Sequence, residues 1–274
     1  QNRPVLLHPH RPEATKGIFQ TIAVVDLLVH KYGFHDLLTF APKWLDLQLT
    51  PELSEFYASI EQVIQARGLN ENIVFHGWIP QPLMPQYYSL GDVTVSMGSF
   101  PESFGNAVYE SLGCGTPSVV ARIATHRELL PEHLIDKVDY DDAEGAAAKI
   151  APILTEKRRT SPETMAYIHT HYATDRQLSA YADAILNAQI VPPMRYQHPM
   201  IDENTRYQLP VWCYLTDKGV YNDFWATYHP MGMLEQVMKT YPDGFALVQA
   251  REMGVSDEMV EMAYRDGFLI PMRL

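Results

Sequence analysis

The sequence predicts an α/β fold, in which a parallel sheet is flanked by helices, followed by a smaller α+β module. Over the first 186 residues short β-rich runs alternate with helical stretches, as in parallel strands that are joined by crossover helices. The stretch 188–206 is rich in proline and polar residues and has no periodicity, which is typical of a linker. Beyond it the pattern changes to a hairpin and short helices.

The predicted elements of the first domain follow the chain as βα units. A strand at 5–8 precedes a helix at 17–32, whose apolar positions recur at helical spacing, and a strand at 35–40 completes a βαβ unit. A helix at 52–67 ends at Gly68, since glycine suits the left-handed position after a helix. The remaining elements are strands at 73–75, 93–97 and 118–121 and helices at 84–90, 104–114, 143–154 and 176–187. We assign residues 1–187 to one Rossmann-like domain.

Residues 207–274 are expected to form a second, small domain. Two β-rich runs flank a turn at Asp217-Lys218-Gly219, which predicts a hairpin. Short helices at 231–240, 245–253 and 257–266 follow, with a last strand at 268–272, and this order resembles a winged-helix-like module. Six aromatic residues in the hairpin region fit either a docking surface for a protein or peptide partner or a small core: Trp212, Tyr214, Tyr221, Phe224, Trp225 and Tyr228.

Composition argues against several classes of function. The formal net charge of -12, without a concentrated basic patch, repels polyanions and argues against nucleic-acid binding. Residues 200–274 carry six basic and eleven acidic residues, so 6 - 11 gives -5 there. The sequence has no apolar run long enough for a membrane span and no secretory signal pattern. The two cysteines form no disulfide framework, and we expect a cytoplasmic protein.

The strongest motif is the segment PESFGNAVYESLGCGTPSVV at 101–120. Its predicted helix would present unpaired backbone N–H groups and a partial positive charge at its start, so the backbone of residues 104–107 (Phe104, Gly105, Asn106 and Ala107) is a candidate diphosphate site. Glu102 precedes this helix and Glu110 lies about six residues into it, roughly 9 Å further along. Two carboxylates so spaced suit the two polyols of a nucleotide sugar, its hexose and its ribose.

This segment resembles the Glu-x7-Glu signature of the large retaining glycosyltransferase family with the GT-B fold. The resemblance implies that Glu102 contacts the transferred sugar and Glu110 the ribose. It covers about residues 4–187, which correspond to the C-terminal, donor-binding domain of that family. The N-terminal acceptor domain is then expected to be missing, so that the chain is either truncated or a subunit of a larger assembly, and inactive in isolation.

Two further segments resemble the same family. In HPHRPEATKG at 8–17, Arg11 and Lys16 match the pair of cations that neutralises the donor diphosphate, although His10 stands where the family usually has glycine. Fixed cations beside a helix N-terminus stabilise a departing diphosphate without a metal. In NIVFHGWIP at 72–80, the resemblance implies that Gly77, Trp78 and Ile79 cradle the nucleobase.

The sequence does not indicate a metal or a separate cofactor. His8, His10, His126 and His133 offer no i, i+4 pair and no clustered acidic ligand, and there is neither a P-loop nor a G-x-G-x-x-G pattern. The main hypothesis is therefore a metal-independent retaining glycosyltransferase that takes a nucleoside-diphosphate sugar as donor. The alternatives are a non-catalytic nucleotide-sugar-binding subunit, whose C-terminal module docks a partner, and a nucleotide-sugar epimerase of related fold.

Overall fold

The computed structural model describes residues 3–11, 13–43, 50–101, 104–189, 203 and 205–272. The chain divides into two compact units, residues 1–184 and 185–274. Each unit buries a hydrophobic cluster of its own. No helix of the described residues is both long enough and apolar enough to cross a lipid bilayer.

The first unit is built on a parallel sheet of six strands: β1 (Val5–Leu7), β2 (Leu38–Pro42), β3 (Ile73–His76), β4 (Val93–Ser96), β5 (Ser118–Ala121) and β6 (Asp136–Val138). Their order across the sheet is β3-β2-β1-β4-β5-β6. In the centre, Leu6 pairs with Thr39 on one side and with Val93 on the other. Because the order reverses between β1 and β4, the loops after these strands diverge and leave a crevice at the carboxyl edge of the sheet.

Eight α-helices are present in the part of this unit that the structure describes and in the residues that follow it: α1 (Ile18–His30), α2 (Pro51–Ala66), α3 (Met84–Leu90), α4 (Asn106–Gly113), α5 (Thr125–Glu128), α6 (Ala143–Glu156), α7 (Pro162–Tyr172) and α8 (Thr174–Leu186). Side chains cap several of them, as where Thr50 accepts from the N–H of Leu53 at the start of α2. Helix α1 buries Ile22, Val25 and Leu28 completely against the sheet. The apolar spacing that predicted this helix therefore marks its core-facing side.

Three elements of this unit, β6, α5 and α7, were not predicted from the sequence. Strand β6 contains Lys137, which is only 2% exposed. Its ammonium donates to the carbonyl oxygens of Arg127 and Leu130 at 2.8 and 2.7 Å. A charged residue at a strand centre hides the apolar pattern of a strand, and the distant carbonyls that satisfy it are not visible in the sequence.

The described residues of the second unit form two antiparallel sheets and three helices. One sheet has the order β10-β9-β8 and the other the order β11-β7-β12. The elements are β7 (Arg206–Gln208), β8 (Cys213–Thr216), β9 (Gly219–Asn222), β10 (Thr227–His229), α9 (Met233–Thr240), β11 (Phe245–Ala246), α10 (Leu247–Glu252), α11 (Asp257–Arg265) and β12 (Ile270–Pro271). The hairpin at Asp217-Lys218 and the three helices were predicted, whereas β7, β10 and β11 were not. The two three-stranded sheets and the three short helices make this unit a small α+β module, and its likeness to a winged-helix module stays a prediction.

The aromatic residues of this module divide between its core and its surface. Tyr221 is fully buried, while Trp212, Tyr214 and Tyr228 are half-buried. Phe224 and Trp225 are 72% and 62% exposed on the turn between β9 and β10. Part of the set is therefore buried, as a core requires, and the proposed docking role of the two exposed residues stays a prediction.

Candidate functional site

A cavity of about 440 Å³ lies at the carboxyl edge of the sheet where the strand order reverses. Its walls come from the loops after β1, β3 and β4, from α3 and from the first turns of α4. This is the place where open α/β sheets bind ligands, because the loops diverge there and helix N-termini point inwards. The volume is within the range of small-molecule sites.

The loop after β1 brings two cations to the cavity, Arg11 and Lys16. The ammonium of Lys16 lies 3.6 Å from the centroid of the Phe100 ring, which also lines the cavity. This cation–π contact restrains the ammonium beside the site while leaving its charge intact. The exposed Arg11 has more freedom to follow a ligand.

Close backbone packing holds this loop in place. Gly17 has a left-handed φ of 85°, and a Cβ atom on it would lie 2.4 Å from the backbone N of Gly98. A Cβ atom on Gly98 would lie 2.3 Å from the carbonyl oxygen of Thr15. In addition, the Phe100 N–H donates to Thr15 O at 3.1 Å. The loops after β1 and β4 are therefore fixed to each other, and Lys16 with them.

The N-terminus of α4 faces the cavity without a side-chain cap. Gly105 precedes the helix with a φ of 82°, so helical conformation begins only at Asn106 and not at residue 104 as predicted. Gly105 has no side chain that could accept hydrogen bonds from the first amides of the helix. The cavity is lined by Phe104, Gly105, Asn106 and Ala107. The ring of Phe104 packs 4.7 Å from that of Tyr109, centroid to centroid. Uncapped first-turn amides of this kind favour an anion.

Glu110 lies one turn into α4, on the cavity wall. The phenolic O–H of Tyr88 in α3 donates to Glu110 Oε2 at 3.0 Å. Burial, together with the Glu110 charge and this hydrogen bond, raises the pKa of Tyr88 far above its usual value. Tyr88 is thus a permanent donor that orients the carboxylate and leaves its remaining lone pairs for hydroxyl groups of a ligand.

The segment after β3 forms the other end of the cavity. Trp78 and Ile79 line it, and Trp78 is 63% exposed. His76 donates from Nδ1 to the carbonyl oxygen of Gly77 at 2.7 Å, so its Nε2 accepts from the Tyr87 hydroxyl at 3.2 Å. These bonds fix the backbone at Gly77, which is itself not part of the cavity wall. An exposed aromatic plane beside a fixed turn suits a flat ring system.

A buried histidine lies behind the start of α4. His126 is 5% exposed, and burial, helped by the charges of His10 and Lys137, lowers its pKa to about 4. Nearby His10 donates from Nε2 to the carbonyl oxygen of Val95 at 3.0 Å and so braces β4. His8 is also buried, and burial followed by the His10 charge lowers its pKa well below the usual value.

The structure brings together nine of the predicted site residues in one cavity: Arg11, Lys16, Trp78, Ile79, Phe104, Gly105, Asn106, Ala107 and Glu110. Glu102 lies outside the described residues. The roles that the family resemblance implies for these residues stay predictions. Phe100 and Tyr88 were missed as members of the site, since their partners Lys16 and Glu110 are distant in sequence.

Within the described ranges, no group of three His, Cys, Asp or Glu side chains is arranged to hold a metal ion. The positive charge that the described cavity offers comes instead from Arg11, Lys16 and the amides of α4. One carboxylate, that of Glu110, faces the same space. The arrangement can hold a ligand that carries an anionic group next to a polyol: the cations and amides suit the anion, and the carboxylate suits the hydroxyl groups.

The six-stranded parallel sheet, with a cavity where its strand order reverses, is a Rossmann-like α/β domain, and its fold matches one half of the GT-B fold. Residues 1–169 match the family model of glycosyl transferases group 1, and the chain belongs to this family. A curated relative is the D-inositol 3-phosphate glycosyltransferase of Thermomonospora curvata, 28% identical over 132 residues. That match covers 46% of this chain but only 30% of the relative.

Several solved structures share the fold. HepE of Anabaena, in complex with UDP-glucose, has a TM-score of 0.58 at 19% identity, over 68% of this chain and 49% of HepE. Sucrose-phosphate synthase of Thermosynechococcus elongatus has a TM-score of 0.57 at 22% identity, over 68% and 46%. The C-terminal domain of LpcC from Francisella tularensis has a TM-score of 0.51 at 18% identity, over 62% of this chain and 86% of that domain. The chain thus spans about half the length of the longer structures and less than a third of the curated relative.

Proposed function

We propose that this chain is the donor-binding half of a metal-independent, retaining glycosyltransferase that uses a nucleoside-diphosphate sugar. The observation that carries the proposal is the convergence of Lys16, Arg11, the start of α4 and Glu110 on one cavity. Its membership of the glycosyl transferases group 1 family supports a sugar-transfer reaction. The similarity of its fold to HepE, which was solved with UDP-glucose, supports a nucleotide sugar as ligand.

In this proposal each group has one task. The Glu110 carboxylate, oriented by Tyr88, accepts hydrogen bonds from the ribose hydroxyls. Lys16, Arg11 and the amides of residues 104–107 hold the diphosphate. Glu102 binds the sugar, as the family resemblance implies. The backbone at Gly77 and the side chains of Trp78 and Ile79 enclose the base.

The chemistry follows from where charge develops. The bond between the anomeric carbon and the diphosphate oxygen breaks, and its electron pair leaves with the diphosphate. The acceptor hydroxyl then bonds to the anomeric carbon on the face from which the diphosphate departs, and its proton is released. Fixed cations and amides stabilise the growing negative charge, an effect that is typically worth several kcal/mol. We propose that the acceptor site lies on a second domain or subunit and that residues 207–274 dock a protein or peptide.

Calorimetric titration tests the proposal. The purified chain is titrated with UDP, GDP, ADP and TDP and with their common sugar conjugates, and Glu110→Ala is compared with Glu156→Ala, an exposed glutamate on α6. We expect saturable binding of one nucleotide family, weakened at least tenfold in Glu110→Ala and unchanged in Glu156→Ala. Wild-type protein that binds none of these ligands would refute the proposal. Release of free nucleoside diphosphate and an altered sugar, with no acceptor present, would favour an epimerase instead.

A further inference from the structure

The imidazole of His126 lies against the backbone at the start of α4. A Cβ atom on Gly105 would be 2.3 Å from His126 Cε1, and 3.1 and 3.2 Å from the two ring nitrogens. The ring therefore touches the residue from which the first turn of α4 continues into the cavity wall. No side chain at position 105 fits while this ring is in place, so the two residues determine each other's position.

The turn that carries His126 is rigid and strained. Ala124, which precedes α5, has φ 43° and ψ -122°, a conformation that residues with a Cβ rarely adopt. The turn is braced by the guanidinium of Arg127, which donates to the Arg122 carbonyl oxygen at 3.0 Å, and by the Lys137 ammonium on the Arg127 carbonyl oxygen. Such backbone strain persists only where the surroundings enforce it, and it is concentrated at functional sites.

The two ring nitrogens of His126 make few hydrogen bonds. Nε2 has a long contact of 3.5 Å with the Ser96 hydroxyl, and Nδ1 has no hydrogen-bond partner among the described residues although it is buried. A buried polar atom without a partner is costly, so an apolar residue would be the better choice for packing alone. A small cavity of about 10 Å³ connects this ring to Lys16, His10 and Phe100. His126 therefore lies between the cation loop and the helix N-terminus.

We propose that His126 is a positioning residue for the diphosphate, because it sets the place of the Gly105 backbone, and so of the first α4 amides, relative to Lys16. His126 is not part of the wall of the main cavity and acts through Gly105 rather than by touching the ligand. The inference rests on the proposed function. Because hydrogen bonds weaken steeply with distance and angle, a small displacement of these amides is enough to reduce diphosphate affinity.

Calorimetry with the mono- and diphosphates of uridine, guanosine, adenosine and thymidine tests this role. The variants are His126→Ala, His126→Gln, which keeps a planar neutral group, and the control His35→Ala at an exposed histidine. For the base that binds, we expect His126→Ala to lower diphosphate affinity at least tenfold and monophosphate affinity less than threefold, with one site per chain. His126→Gln should recover most of the loss, and His35→Ala should behave as wild type.

A purely structural role gives a different pattern. If His126 had only a structural role, its replacement would reduce the fraction of folded protein and therefore the measured number of binding sites per chain. The ratio of diphosphate to monophosphate affinity would stay at the wild-type value. That unchanged ratio overturns the inference and leaves the proposed function intact. Failure of the wild-type chain to bind any nucleotide overturns both. If His126→Ala does not fold, His126→Met fills the same space without a planar ring, and retention of the wild-type ratio in that variant is equally decisive.

Discussion

Tyr88 and Glu110 join two helices across the candidate site: the phenolic hydroxyl of α3 donates to the carboxylate of α4 over 3.0 Å. Tyr88 is 2% exposed and its pKa is raised, so it keeps its proton at any physiological pH. The carboxylate therefore has one fixed hydrogen bond, which fixes its orientation for a ligand that approaches from the cavity.

Tyr88→Phe is expected to weaken nucleoside-diphosphate binding about 3- to 10-fold, because Glu110 loses its orienting donor but keeps its charge. Glu110→Ala is expected to cost more, roughly 10- to 150-fold, since it removes the acceptor of charge-assisted hydrogen bonds worth about 1.5–3 kcal/mol. Both affinities are measured by calorimetry. A Tyr88→Phe variant that binds as well as wild type would show that the bond between α3 and α4 has only a packing role.

Phe100 restrains the Lys16 ammonium at 3.6 Å from its ring centroid. Lys16→Ala is expected to lower diphosphate affinity by more than tenfold and to leave nucleoside affinity unchanged. Phe100→Leu removes the aromatic face but keeps an apolar contact, and a cation–π contact is worth about 0.5–2 kcal/mol, so a loss of roughly 2- to 30-fold is expected. The effect of Phe100→Leu should largely vanish in a Lys16→Ala background, because its partner is then gone. Additive losses in the double variant would contradict the coupling.

Glu102 is predicted to bind the sugar and not the nucleotide. Glu102→Ala should therefore leave nucleoside-diphosphate affinity near the wild-type value and abolish the extra affinity of the sugar conjugate. The measurement compares the two ligands by calorimetry on the same protein, so each preparation is its own control. Equal losses for both ligands would refute the assignment.

Much of the fold was readable from the sequence because its signals are local. Helix α1 follows from apolar residues at helical spacing. The start of α4 was predicted two residues too early, because Gly105 is in the left-handed conformation and the helix begins only at Asn106. Strand β6 was missed because its central residue is a lysine, whose ammonium is satisfied by carbonyls elsewhere in the chain. Sequence periodicity contains no information about such partners.

The candidate site also has a part that the sequence predicted and a part that only the structure shows. Arg11, Lys16 and Glu110 stand in recognisable motifs, and the structure brings them to one cavity. The contact of His126 with Gly105 and that of Tyr88 with Glu110 depend on how α5 and α3 pack beside α4. Contacts between distant parts of the chain are set by tertiary packing, and no local pattern reports them.

The close contact of the two site loops depends on Gly98. A Cβ atom at this position would lie 2.3 Å from the Thr15 carbonyl oxygen, where backbone must move. Gly98→Ala is expected to lower the free energy of unfolding by about 1–3 kcal/mol, the usual cost of overpacking. The matched control is Gly113→Ala in α4, where a Cβ meets no atom within 4 Å and alanine favours the helix by up to about 1 kcal/mol. Urea unfolding measures both, and equal stability of the two variants would contradict the packing argument.

Buried His126 is expected to make the fold sensitive to acid. Its pKa is about 4 in the folded chain, below the ordinary 6.5, because burial and then the charges of His10 and Lys137 disfavour the protonated ring. On acidification the unfolded chain takes up the proton first, so this contribution to stability is complete above pH 6.5. It is lost as the pH falls from 6.5 towards 4, by about 3 kcal/mol in total. His8, whose pKa is also lowered, acts in the same direction.

His126→Gln removes this titration without introducing a charge. The unfolding free energy of wild type minus that of His126→Gln should therefore fall by about 3 kcal/mol between pH 7.5 and pH 4. The exposed His35→Gln serves as the matched control for replacing a histidine by glutamine. Urea denaturation at half-unit pH steps provides the measurement. A difference for His126→Gln that does not change with pH would mean that His126 titrates normally in the folded chain, and that its ring reaches solvent behind α4.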